Sequence, residues 1–257
     1  MAELEYLETH VVDQCNLKCR GCSHFSPIAQ NNNYSIAEFK NDINRLSEIF
    51  NNIKTFRLLG GEPFIAMNLN EYIITVRDAF PKTDIRIVTN GLLLEKIDKL
   101  NLKTIRECNT QLDISLYPPT MDIINDILNF VNKNDLRYNF QGPIVNFWKR
   151  ITLSGKYNNV LTFERCPSNN CTFLYKGKIS ACPGPSLCYI LNDKFGTKLD
   201  GSKDVIEIYA SDTTGKKVLE FIKSPLELCK HCGQALEFPW SNHADANLSD
   251  WAFDDLN

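Results

Sequence analysis

Apolar residues cluster in short runs that alternate with amphipathic stretches, and the two periods predict alternating strands and helices. Residues 6–12 predict a strand that runs into a polar, cysteine-bearing loop. Over 35–50, Ile36, Phe39, Ile43, Leu46 and Phe50 recur at helical spacing, and Ser35 with Glu38 predicts a capping box. A short apolar strand over 55–59 stops at Gly60-Gly61, and a helix over 70–80 is closed by Pro81. Residues 84–89 predict a buried strand ending at Asn90-Gly91, followed by a short helix over 95–100. A strand over 111–116 is broken by Pro118-Pro119 and leads to an amphipathic helix over 121–132 and a strand over 137–140.

This rhythm predicts an α/β fold, a parallel sheet or barrel of βα units. In such folds chemistry gathers at the C-terminal ends of the strands. The unusual motifs fall there: the cysteines after the first strand, GGEP after the second, TNG and SLYPP after later ones. Beyond Gly142-Pro143 the rhythm lapses into cysteine-rich turns, with a hairpin predicted in FLYKGKISAC around Lys176-Gly177. The boundary is placed near Gly155, giving domains 1–155 and 156–257. The NNN run at 31–33 predicts a loop. The acidic tail 241–255, which carries Trp251 and Phe253, predicts a loosely packed terminus in preference to a lid folded back over the body.

The chain has 257 residues, 43% hydrophobic and 23% charged, enough to bury a sizeable core. A formal net charge of -3 gives no general electrostatic case for nucleic acid or an anionic membrane as partner. No apolar run approaches the ~20 residues that span a bilayer. The N-terminus lacks a secretory pattern, so a cytoplasmic protein is expected. Disulfides are rare in that compartment, so ten cysteines point to metal ligation or redox chemistry. Outside the opening cluster lie Cys108, Cys166, Cys171, Cys182, Cys188, Cys229 and Cys232. Six of these seven lie beyond Gly155, which predicts a second metal site there.

The opening cluster is DQCNLKCRGCSHFSP, with Cys15, Cys19 and Cys22 in the spacing CxxxCxxC. As positions i, i+4 and i+7 they would share one helix face, but the surrounding Asn16, Lys18, Arg20, Gly21 and Ser23 oppose a buried stripe. Structural zinc takes four ligands; His24 is a possible fourth, although CxxC pairs are the usual zinc spacing. Three thiolates on a [4Fe–4S] cube would leave one iron open for a ligand. Downstream, Gly60 and Gly61 let the backbone approach a ligand closely, Glu62 supplies an acceptor, and Pro63 completes GGEP.

CxxxCxxC after a first strand, followed by GGEP after a second, resembles the radical S-adenosylmethionine (radical SAM) superfamily. The resemblance implies a partial (β/α)6 TIM-type barrel. S-adenosylmethionine would chelate the open iron through its amino and carboxylate groups. An electron from the cluster would then cleave the sulfonium to methionine and a 5′-deoxyadenosyl radical. GGEP would hold the methionine ammonium, and Asn90 of TNG and Ser115 of DIS would lie near ribose and carboxylate. Many members carry an aromatic residue just before the last cysteine; this chain has Gly21, so adenine is expected to lean on His24 or Phe25. A flavodoxin or ferredoxin-type reductant is implied. CNLKCRGCSHFSPIA also resembles a bacterial subgroup associated with carbohydrate assembly.

Cys166, Gly177 and Cys182 are similar to the opening of twitch and SPASM domains, and the CKHC pair Cys229 and Cys232 completes four ligands. This implies a second, auxiliary [4Fe–4S] cluster, with Cys171 a rival for Cys166 and zinc the competing metal. A cube without an open iron serves electron transfer. It would take the second electron of a substrate oxidation. The size and spacing look like the aminocyclitol (2-deoxy-scyllo-inosamine) dehydrogenase type, which implies a small sugar-like substrate. Tyr117 or Arg150 would take the hydroxyl proton. Epimerisation would instead need a hydrogen donor such as Cys188, with Cys108 and Cys171 the other unassigned thiols. A peptide-modifying maturase is the alternative, opposed by the early start of the first strand. A non-enzymatic iron–sulfur carrier is a third reading, opposed by GGEP and the missing fourth cysteine. His10, His231 and His243 have no predicted role.

Overall fold

A computed structural model describes residues 2–30, 32–243 and 245–253. Asn31 of the predicted loop, and Ala244, Asp254 and Asp255 of the predicted tail, lie outside the described residues. The chain forms two compact units: Met1–Asn16 with Asn31–Val145, and Leu17–Gln30 with Asn146–Asn257. The first unit ends ten residues before Gly155, and the loop carrying Cys19 and Cys22 packs with the second unit.

The first unit holds strands β1 (Ala2–Val12), β2 (Phe50–Gly60), β3 (Asp84–Thr89), β4 (Gln111–Ser115) and β5 (Arg137–Gln141). Helices α1 (Ile36–Ile49), α2 (Leu69–Ala79), α3 (Lys99–Glu107), α4 (Pro118–Asp122) and α5 (Ile124–Lys133) lie between them. The strands pair in parallel in the order β5-β4-β3-β2-β1. Side chains alternate across this sheet. One face carries buried Leu7, Val11, Phe56, Leu58, Ile85, Ile87, Leu112 and Ile114. It meets the apolar stripe of α1, where the Phe39 ring is T-shaped to Phe56 at 6.3 Å and tilted on Tyr72 of α2 at 5.0 Å. The opposite face carries polar groups among its apolar ones: Tyr6, Glu8 and His10 of β1, Arg57 of β2, Arg86 of β3 and Asp113 of β4.

Six βα units were expected, and among the described residues the parallel sheet of this unit has five strands. Gly142-Pro143 interrupts the chain after β5, and Pro143 has no N–H to continue a ladder. The next strand, β6 (Asn146–Ile151), belongs to the second unit.

Several boundaries also move. Ser35 stands at the N-cap of α1 without a side-chain cap bond, so the predicted box does not form. The short helix expected over 95–100 is a turn over Leu94–Lys96. The true helix is α3, whose Asp98 N-cap accepts from Asn101 N at 2.8 Å. The helix expected over 121–132 starts earlier, at Pro118 in the first turn where proline is tolerated. It breaks at Ile123, which leaves helical geometry with φ -116 and ψ 21.

The second unit contains β6, α6 (Asn159–Glu164), β7 (Phe173–Tyr175), β8 (Lys178–Ser180), α7 (Gly184–Phe195), β9 (Ile206–Glu207), α8 (Gly215–Phe221) and β10 (Cys232–Pro239). β7 and β8 form the predicted hairpin, turning on Lys176 and Gly177 at φ 48 and 77. β8 continues antiparallel to β9, and β6 pairs antiparallel with β10. No helix among the described residues is long and apolar enough to cross a membrane.

Candidate functional site

The strand ends of the first unit bring GGEP, TNG and Cys15 together. Gly60 and Gly61 are required by the chain's own backbone: a Cβ at Gly60 would lie 2.0 Å from Val12 O, and one at Gly61 2.1 Å from Gln14 O and 2.6 Å from Cys15 N. Gly61 N donates to Val12 O at 2.9 Å and Glu62 N to Gln14 O at 3.0 Å. The double glycine therefore lets the end of β2 lie against the segment that delivers Cys15.

Glu62 is fully buried, and its carboxylate accepts from Thr89 Oγ1 at 2.7 Å, Asn90 N at 2.9 Å and Phe64 N at 3.3 Å. It bolts the end of β2 to the end of β3. Burial raises its pKa to about 7 against the pull of these three bonds. The acceptor expected to face a ligand is thus occupied by internal donors, and Thr89, which sequence reasoning passed over, is one of them. Pro63 opens the following turn over Pro63–Ile65. Asn90 Nδ2 donates to Asn16 Oδ1 at 2.7 Å and reaches Cys15 Sγ at 3.8 Å. Ser115 closes β4, half a turn before Tyr117, which N-caps α4.

Beneath these strand ends the polar face holds a charge network. Arg57 Nη2 meets Asp113 Oδ2 at 2.9 Å, Arg86 Nη1 the same oxygen at 3.6 Å, and the Arg57 guanidinium lies 5.6 Å from the Tyr6 ring centroid. Glu8 bonds Tyr6, and burial raises its pKa to about 7. His10 and Asp13 pair at 2.8 Å, both buried, so His10 is more than a bystander on the strand.

In the second unit the loop 17–30 carries Cys19 and Cys22. Backbone N–H groups of His24, Phe25 and Ser26 favour charge on the Cys22 sulfur, although burial is the larger effect and raises its pKa. Burial likewise pushes Cys19 up to about 12. The tail expected to pack loosely instead covers this loop: Trp251 is 2% exposed, and Arg20 Nε donates to Asp250 Oδ1 at 2.7 Å. Gly21 has φ +64, and a Cβ there would lie 2.5 Å from the Phe238 ring and 2.7 Å from Asp250 O. A larger residue before the last cysteine would collide with that covering segment. Phe25 is buried, and the His24 ring is tilted on Phe173 at 6.5 Å.

The same unit gathers the late cysteines. Cys166, Cys229 and Cys232 all raise the pKa of Cys182, and burial raises it most. Cys229 and Cys166 act in the same sense on Cys232, which burial pushes up to about 12, and Cys166 acts on Cys229. No three His, Cys, Asp or Glu side chains among the described residues are grouped to hold a single metal ion. Thiolates are the donors that iron–sulfur clusters take, so the chemistry of these four side chains suits such a group. Asp204 accepts from Glu227 N at 2.7 Å and Leu228 N at 2.6 Å, capping the turn that delivers Cys229. Arg150 of β6 lowers the Cys232 pKa by its charge. Cys188 is buried on α7, its thiol directed at Pro185 O (3.5 Å) and Leu199 O (3.7 Å), a structural placement.

Among solved structures, the chain is similar to BtrN in complex with AdoMet and 2-DOIA. The TM-score is 0.53 and the identity 16%, covering 91% of this chain and 94% of that one; the likeness is one of fold. Among curated proteins, GTP 3′,8-cyclase of Helicobacter pylori is 29% identical over 43% of this chain and 35% of its own length. The probable GTP 3′,8-cyclase of Methanocaldococcus jannaschii is 31% identical over 43% of this chain and 37% of its own length. The chain thus spans little more than a third of the curated relatives it matches. The Radical SAM superfamily profile matches residues 9–136, the stretch that holds CxxxCxxC, GGEP, TNG and DIS. These residues make the chain a member of the radical SAM superfamily, enzymes that bind S-adenosylmethionine and a [4Fe–4S] cluster.

Proposed function

We propose that the protein is a radical SAM oxidoreductase that dehydrogenates a carbohydrate-like or cyclitol-like alcohol. The observation that carries this reading is the placement of Cys166, Cys182, Cys229 and Cys232, four buried or half-buried thiols, in one compact unit. Four thiolates suit a second cluster without an open iron, which is an electron acceptor and not a binding site. When bound, S-adenosylmethionine and the two clusters supply a carbon radical that removes a hydrogen atom and a sink for one further electron.

The chain's own residues do the rest. Cys15, Cys19 and Cys22 hold the first cluster. Gly60, Gly61, Glu62 and Pro63 fix the backbone beside Cys15, and Asn90 and Ser115 stand at the neighbouring strand ends to contact the cofactor. The polar sheet face with Arg57, Arg86, Asp113 and Glu8 favours a hydroxylated substrate over an apolar one. Loss of the hydroxyl proton to Tyr117 as its phenolate leaves a ketone once one hydrogen atom and one electron have gone, with Arg150 a cation acting on Cys232. Flavodoxin or a ferredoxin supplies the priming electron.

The names of the curated relatives raise a nucleotide substrate as the second reading. Anaerobic protein with S-adenosylmethionine and dithionite is incubated in D2O with 2-deoxy-scyllo-inosamine or with GTP. A keto product from the cyclitol is the expected result. A deuterated epimer would convert the reading to epimerisation, and product from GTP alone would overturn it.

A further inference from the structure

Two indole N–H groups from the C-terminal segment end on the cysteine loop, and their acceptors differ. Trp251 Nε1 donates to the backbone oxygen of Cys22 at 2.8 Å. Trp240 Nε1 donates to the sulfur of Cys19 at 3.2 Å. Cys19 is 7% exposed, so little water competes for that sulfur. The approach is held on both sides. Cys19 and Asn242 form an antiparallel bridge, Lys18 N donates to Asn242 Oδ1 at 2.6 Å, His243 N to Lys18 O at 3.1 Å and Arg20 N to Ser241 O at 2.9 Å. A short antiparallel ladder thus fixes where the Trp240 indole points. Indole nitrogen can only donate. A donor aimed at a ligand sulfur stabilises whichever cluster state carries more negative charge, the reduced one.

We propose that Trp240 is a positioning residue for the first cluster, its N–H to Cys19 Sγ raising that cluster's reduction potential. The proposal rests on Cys19 being a cluster ligand. An external reductant gives one electron to the oxidised cluster, and no bond to the protein forms or breaks. Trp240 therefore sets how fully the cluster is reduced before S-adenosylmethionine is cleaved, and the ladder from 240 to 243 is part of the site.

Trp240→Phe keeps a ring and removes the N–H; Trp251→Phe does the same where the acceptor is backbone. Anaerobic, reconstituted proteins are titrated with dithionite, following the electron-paramagnetic signal that changes when S-adenosylmethionine is added, which singles out the first cluster. At the potential where the wild-type cluster is half reduced, Trp240→Phe is expected to show a roughly tenfold lower ratio of reduced to oxidised cluster. Trp251→Phe is expected to match the wild type. No change in Trp240→Phe, or an equal change in both variants, would overturn the proposal while leaving the cluster in place. A wild type without any responsive signal would overturn the cluster assignment as well. If Trp240→Phe fails to hold iron, wild-type protein with 15N-indole tryptophan decides: a nitrogen hyperfine coupling to the reduced cluster supports the bond, and its absence refutes it.

Discussion

Changing Glu62 to glutamine removes a charge without removing shape, and the structure sets the size of the effect. Burial raises the pKa of this carboxyl from the ordinary 4.5 to about 7. A folded-state value above the unfolded one means that stability is fully present below the unfolded pKa and is lost as pH rises through the folded one. Between about pH 5.5 and about pH 8 the loss from Glu62 amounts to about 2 kcal/mol. Glu8, also raised to about 7 by burial, adds a comparable loss in the same window. The wild type should therefore weaken through two carboxyls, and Glu62→Gln through Glu8 alone.

The amide carries its own penalty. In either orientation its NH2 group faces a backbone N–H, that of Asn90 or that of Phe64. An unsatisfied buried donor costs about 1–3 kcal/mol, so the variant should be the weaker protein at the acid end. The gap should close as pH rises. Urea unfolding of anaerobic protein followed by circular dichroism, at several pH values, reads both slopes. A Glu62→Gln slope equal to that of the wild type would refute the assignment of a buried, proton-holding carboxyl between β2 and β3.

Gly61→Ala places a methyl 2.1 Å from the Gln14 oxygen, a backbone atom that cannot turn away. Overpacking of this kind costs about 1–3 kcal/mol or more, and the variant should show a lower melting temperature together with poor iron retention, because Cys15 N is the next atom in the way. Serine in place of Cys166, Cys182, Cys229 or Cys232 should lower iron from about eight to about four per chain. Cys171→Ser should leave the count unchanged, and iron and sulfide analysis of reconstituted protein distinguishes the two outcomes.

The parallel layer was legible because its signals are local: apolar runs of strand length, amphipathic stretches between them, and glycines at strand ends. The hairpin at Lys176-Gly177 was equally readable, since two left-handed positions in a row select a tight turn. Where the reading slipped, competing local cues were near equal. The Asp98 cap was overlooked in favour of the earlier Glu95 start, and nothing in the 121–132 pattern marks the break at Ile123. Distant pairings lay beyond a single sequence altogether. Glu62 looked like a ligand acceptor because its donors, Thr89 and Asn90, come from another strand. The acidic tail looked loose, yet Trp240 and Trp251 are separated from Cys19 and Cys22 by some two hundred residues, with no periodicity to join them. Gly21 makes sense only once Phe238 and Asp250 are seen to occupy the space above it.

The direct test of a three-thiol cluster with an open iron is the fate of S-adenosylmethionine on reduction. Anaerobic, iron-reconstituted protein treated with dithionite and S-adenosylmethionine should release 5′-deoxyadenosine and methionine in equal amounts. Protein with alanine at Cys15, Cys19 and Cys22 should release neither while keeping its other iron. Formation of 5′-deoxyadenosine by that triple variant, or none from wild type holding a full complement of iron, would contradict the account.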